Sequence, residues 1–225
     1  MISKAGFKIG KISMTKLALA FFLVNLVAIS ASAISGYRRG NVAYRFEEKQ
    51  AITFFSSNQL GATSLLAWII YLLRRRLIRN DQAHNRTGLF WVISALGFLY
   101  LMLDESFQFH EGMDTGLFRL FGRYENPMLD GVFTGLYGIA AAAICYYYRA
   151  EILRYRSTLV FFCLGGVFLV ATSVLNVGAE GPVQIVIEES SKLLGVVSFL
   201  LGHFAAFLGT LGDIQNNLPR HHPMG

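Results

Sequence analysis

Asp104, Glu105, His110 and Glu111 fall within one short string, LDESFQFHEG, directly after an apolar run of bilayer-spanning length. A second pair of carboxylates, Glu188 and Glu189, opens another apolar run in the string EESSKLLG. Carboxylates and imidazoles ligate hard and borderline cations, and they give and take protons near neutral pH. Two ionised carboxylates about 5 Å apart repel by about 3 kcal/mol at an effective dielectric of about 20. A cation, a shared proton, arginine partners or plain exposure to water relieves that repulsion. The first two make a functional site. Arg119 and Arg123 are near enough in sequence to supply the third, and the fourth is a solvated helix end.

Helical spacing sorts these residues. At 100° per residue Asp104, Gln108 and Glu111 form one stripe, with Glu105 about a quarter-turn away. His110 falls on the far side and joins them only if the helix unwinds near Gly112 or a partner loop folds back. Glu188 and Lys192 stand four apart in the favourable order, so they are expected to pair and to leave Glu189 free. The candidate site is Asp104, Glu105, His110, Glu111 and Glu189. Its members act as ligands of a divalent metal, calcium, manganese or iron, or as acid–base groups.

Structural zinc is not the expectation, because it asks for cysteines or several histidines. The Glu-x-x-His pair of di-iron bundles is absent as well. Cys145 and Cys163 lie in apolar runs without CxxC spacing and read as small core residues. His203, alone in an apolar run, reads as a packed, hydrogen-bonded histidine. None of these motifs specifies a catalytic residue, and whether the protein is an enzyme stays open.

The elements that carry this site are membrane helices by composition. The chain is 54% hydrophobic and only 15% charged, and the charges are gathered in clusters. Between them lie six charge-free stretches: Leu17–Ile34, Ala51–Leu73, Thr87–Leu103, Gly131–Tyr148, Ser157–Ala179 and Leu193–Gly212. Each is long enough, at about 1.5 Å per residue, to cross a hydrocarbon core of about 30 Å. Runs such as LALAFFLVNLVAIS do not alternate, which excludes the strands of a β-barrel. The expected fold is therefore all-α. It is a single polytopic transmembrane bundle over residues 1–225, with helices near 17–34, 51–73, 87–111, 131–148, 157–179 and 182–212.

Charge asymmetry gives an orientation. The lysines before residue 17, the loop RRRLIRNDQAHNR, the loop RAEILRYR and the tail hold most of the basic residues. The positive-inside rule places them, and both termini, in the cytoplasm of a cell bounded by an inner membrane. The loop GYRRGNVAYRFEEKQ runs against the rule with its four basic residues. Lys4, Lys8, Lys11 and Lys16, an apolar run and Ala31-Ser-Ala33 also fit a cleaved secretory signal. Retention as the first membrane helix is the expectation, and both readings leave the next loop outside. The segment MDTGLFRLFGRYENP reads as a short amphipathic stretch in the interface. The net charge of +6 is explained by lipid headgroups and topology rather than by nucleic acid, for which no motif is present.

LDESFQFHEG at a helix end, followed later by EESSKLLG, resembles a pattern of uncharacterised bacterial multi-pass membrane proteins. The resemblance covers those two motifs and implies a membrane bundle without implying an activity. Alkaline-ceramidase-like hydrolases are a poor fit, since their HxxxH helix is missing.

Three functions compete. The first is an extracytoplasmic carboxylate–histidine site that binds a cation or handles a proton. The second is a non-catalytic accessory subunit packed, through lipid and other membrane subunits, into a larger complex. A transporter comes last, because only Asn25, Asn58, Gln59 and His203 offer a polar path.

Overall fold

The computed structural model of the chain describes residues 13–47, 50–77, 85–107, 127–175 and 181–217. Every element among them is helical. They are α1 (Met14–Arg38), a 3-10 turn (Val42–Arg45), α2 (Ala51–Leu77), α3 (Asn85–Phe107), α4 (Pro127–Tyr147), the short α5 (Arg149–Leu153), α6 (Arg156–Leu175) and α7 (Pro182–Asn217). The helix ends have local causes. Ser13 caps α1 by accepting the Lys16 N–H at 3.4 Å. Two residues beyond α1, Gly40 takes φ 82°, the left-handed conformation that glycine adopts most readily after a helix. Pro182 opens α7 in the first turn, where its missing N–H costs nothing.

The closest packing joins α2 to α3, α6 to α7, and α2 to α7, which makes α2 and α7 the centre of the bundle. Of the apolar window of α7, 67% is buried, against 6% for α1. α1 rests on the 3-10 turn and on α7, and α4 makes only light contact with α5 and α6. One core cluster gathers Ala67, Ile70, Phe90, Trp91, Ile152 and Ala206 from α2, α3, α5 and α7. A second joins Phe46, Ile52 and Leu193 at the other end of α2.

Four helices are long and apolar enough to cross a membrane: α1, α3, α6 and α7. The apolar part of α4 with described side chains, Gly135–Tyr147, is shorter. α2 is longer than three of the four but more polar, because it carries Thr53, Ser56, Ser57, Gln59 and Thr63. Those five side chains are buried. A central helix can hold polar groups that a lipid-facing one cannot, since its neighbours rather than hydrocarbon surround them. Leu19, Leu23 and Val27 of α1, Ile139 of α4, and Val167, Val170 and Val174 of α6 are all more than half exposed. That pattern suits a lipid environment and would be costly in water.

α6 meets α7 at close range because glycines face aromatic rings. A Cβ on Gly202 would stand 2.5 Å from the Phe162 ring, and one on Gly209 would run into the Tyr155 ring. Gly202→Ala is expected to cost about 1–3 kcal/mol through that overpacking. The expected readout is a lower thermal unfolding temperature in detergent. Gly97→Ala, where nothing lies within 4 Å, is expected to leave it unchanged or slightly raised. An unfolding temperature for Gly202→Ala at or above that of the wild type would show that the ring moves aside without cost.

Candidate functional site

Glu105 ends α3, Glu189 and Lys192 stand near the start of α7, and Ser56 near the start of α2, so antiparallel packing brings them together. Lys192 Nζ lies 3.1 Å from Glu105 Oε1 and 2.8 Å from Glu189 Oε1. Ser56 Oγ donates to the same Glu105 oxygen at 2.9 Å. Both carboxylate side chains are 14% exposed. Beside them, the Ser57 and Ser106 hydroxyls meet at 2.7 Å, and both lie within hydrogen-bond reach of the Met102 carbonyl.

This corrects the pairing expected from helical spacing. Lys192 reaches Glu189, three residues back, and Glu105 on another helix, so Glu189 is not left free. The i,i+4 rule describes an isolated helix surface, whereas here a carboxylate from α3 draws the ammonium inward. Glu189 Oε2 and Ser190 Oγ are buried and meet no hydrogen-bond partner among the described residues.

Of the other expected site residues, Asp104 is buried at the end of α3. His110 and Glu111 lie outside the described residues, as do Arg119 and Arg123. Among the described residues no group of three or more His, Cys, Asp and Glu is arranged to hold a metal ion. Glu105 and Glu189 are the carboxylates brought together, with an ammonium already between them.

Two further polar clusters lie among the described residues, besides the buried pair in which Gln59 donates to Asn25 at 2.9 Å. His203, fully buried, has Nδ1 2.8 Å from the Phe199 carbonyl and Nε2 2.7 Å from Ser94 Oγ. A carbonyl only accepts, so Nδ1 carries the hydrogen and Ser94 donates to Nε2. The rings of Trp91, Phe98 and Phe162 enclose the imidazole with centroids at 5.0–5.7 Å. His203 is thus the satisfied core histidine that its sequence context suggests. Several neighbouring hydroxyls are also locally satisfied. Thr63 and Ser198 each donate to the carbonyl four residues earlier in their own helix.

The third cluster was not evident in the sequence. Arg74 of α2 and Glu151 of α5, each 2% exposed, form an ion pair at 2.5 Å. Trp91 Nε1 of α3 donates to the same Glu151 oxygen at 2.9 Å. Arg74 also donates to the Tyr155 hydroxyl, which donates in turn to Asp213 at 2.6 Å. Arg154 closes the network on Asp213 at 2.8 Å. One arginine in a run of three reads naturally as a topology signal. The hint was Glu151, the lone carboxylate in the otherwise basic RAEILRYR. The stretch of α2 from Ser56 to Arg74 rises about 27 Å, so the two ionic clusters stand roughly a hydrocarbon thickness apart.

Over residues 14–207 the chain matches the family described as a domain of unknown function, DUF8692. The chain belongs to the DUF8692 family. The match takes in α1 and ends on α7 between His203 and Asp213, so it covers both the Glu105–Lys192–Glu189 cluster and the Arg74–Glu151 pair of this DUF8692 chain. No curated protein and no solved structure matches the chain.

Arg74→Leu would strand the Glu151 charge inside the bundle, and about 3–5 kcal/mol of stability is expected to go with it. The double variant Arg74→Leu/Glu151→Gln removes both charges and keeps an acceptor for Trp91, so it should recover most of that loss. Denaturation of the three proteins in detergent measures the difference. A double variant as unstable as the single would show that the pair's charges are not what holds α5 down.

Proposed function

We propose that the chain is a multi-pass inner-membrane protein whose Glu105–Lys192–Glu189 cluster takes up and releases a proton on the extracytoplasmic side. One observation carries the reading. Two carboxylates share a single ammonium, and one oxygen of Glu189 is buried without a donor among the described residues. With all three groups ionised the cluster holds one negative charge more than positive. An uncompensated charge at low dielectric is costly, and the site relieves it by binding one further positive charge.

A proton is the smallest such charge, and Glu189 Oε2 is the oxygen that would take it. Asp104, Glu111 and His110 are then the groups that pass the proton to and from water, as their place in sequence at and beyond the end of α3 suggests. A divalent metal such as calcium, manganese or iron is the competing occupant. It would have to displace Lys192 from between the carboxylates.

The rest of the architecture follows in the same reading. Residues 1–225 form one domain of six spanning helices, α1 to α4 with α6 and α7, and both termini are cytoplasmic. The lysine-rich start and the arginine loop after α2 support that orientation. A second reading, a non-catalytic subunit of a larger membrane complex, draws on α4. Its residues Ile139–Ala143 are exposed in an unbroken run, wider than one helical face.

Infrared titration and elemental analysis of the purified full chain, wild type beside Glu189→Gln and Glu105→Gln, decide among these. The proton reading expects a carboxyl signal that comes and goes with pH and is lost in Glu189→Gln. Near-stoichiometric metal in the wild type, lost in both variants, would replace the proton with a cation. A chain with neither property that copurifies with stoichiometric partners would favour the subunit reading and sink the first.

A further inference from the structure

The loop after α1 is basic on the side of the membrane where the positive-inside rule leaves basic residues scarce, and the proton site does not use it. Its backbone is tightly held. The N–H groups of Arg39 and Asn41 both donate to the Gly36 carbonyl, at 2.9 and 3.1 Å. A Cβ on Gly36 would meet the Val42 carbonyl oxygen at 2.6 Å, so the loop folds flat against the last turn of α1. Asn41 caps the 3-10 turn by accepting the Ala43 N–H at 3.0 Å and donates to Glu47 at 3.0 Å. Ala43 and Phe46, each 1% exposed, anchor the turn in the bundle.

On this frame two guanidinium groups are gathered about one aromatic ring. Arg39 Cζ lies 4.9 Å and Arg45 Cζ 5.4 Å from the centre of the Tyr44 ring. Ser35 Oγ accepts from Arg45 Nε at 3.4 Å and helps fix it. Among the described residues no carboxylate pairs with Arg38, Arg39 or Arg45. α1 rises about 37 Å over its length, more than the hydrocarbon core of about 30 Å, which brings Arg38 to headgroup depth. Tyr37, 79% exposed, stands beside it as an interfacial aromatic.

We propose that Arg39 and Arg45, gathered on Tyr44 with Arg38 adjacent in sequence, form a binding site for the phosphate of an anionic phospholipid headgroup. Planar guanidinium forks match phosphate oxygens bidentately, and stacking on Tyr44 holds two of them in place before the lipid arrives. Cations held close together, with no acid partner among the described residues, are complementary to one anion. The lipid is favoured over a free phosphate because the site sits at the end of a helix whose apolar residues are exposed all the way down, as an acyl chain requires.

The test uses the full chain purified in neutral detergent and exposed to phosphatidylglycerol or phosphatidylcholine, with retained lipid counted by native mass spectrometry. The wild type is expected to retain phosphatidylglycerol preferentially. Arg39→Gln/Arg45→Gln should lose about thirtyfold in that preference, as expected for removing two basic residues near a headgroup. If that pair fails to fold, Arg39→Gln alone carries the test, because its exposed side chain makes no hydrogen bond within the described residues. Equal retention of the two lipids by wild type, or an unchanged preference in the variants, overturns the proposal. Glycerol phosphate that competes as well as the lipid overturns it in favour of a soluble phosphate. Retention of neither lipid overturns it as well.

Discussion

Charge inside a low-dielectric bundle must be neutralised by the bundle itself, and in this protein that constraint decides which helices touch. Lys192 draws a carboxylate from α3 and one from its own helix onto a single ammonium. Arg74 does the same at the far end of α2, reaching Glu151 on α5 and Tyr155 at the head of α6. The apolar surfaces between the two clusters could slide or rotate over one another at modest cost. The ionic clusters cannot, because any shift leaves a buried charge without its partner. Register along α2, α3 and α7 is therefore fixed at both ends, and the core clusters pack to that register.

Glycine does complementary work between α6 and α7. Gly165, Gly202 and Gly209 each face an aromatic ring, so the two backbones approach closely, and Thr158 donates to the Gly202 carbonyl across the same contact. The Tyr155 ring that covers Gly209 also carries the hydroxyl that links Arg74 to Asp213. Packing and electrostatics thus meet in one side chain, and a change at Gly209 would be felt in the ionic network as much as in the helix contact.

The long helical runs were legible in the sequence as charge-free stretches of hydrocarbon length, and four of the six are long and apolar enough to cross a membrane. The acidic end was legible too, since Glu105 and Glu189 stand where two such runs begin and end. The choice of partner was not. Helical spacing points Lys192 toward Glu188, and only the position of α3 against α7 turns it to Glu105 and Glu189. Arg74 was hidden for a different reason. Three arginines after a span carry a topological meaning strong enough to mask the one that turns inward. Glu151 was masked in turn, because a loop reading assigns its charge to water and gives it no reason to be buried. His203 was read correctly because a lone imidazole in an apolar helix has only a packed, bonded environment open to it.

The bonds that close the interior also set an order on how the chain can be made. Ser94 waits for a histidine 109 residues further along, and Trp91 for a carboxylate 60 residues on. α2 and α3 emerge from synthesis with their polar faces complete and their partners not yet translated. The last helix supplies Lys192, His203 and Asp213, so it serves as the keystone of biogenesis. Until it inserts, the earlier helices hold buried donors and acceptors that lipid cannot satisfy. A truncated chain lacking α7 would accordingly present the cell with a membrane protein marked for removal rather than a smaller stable one.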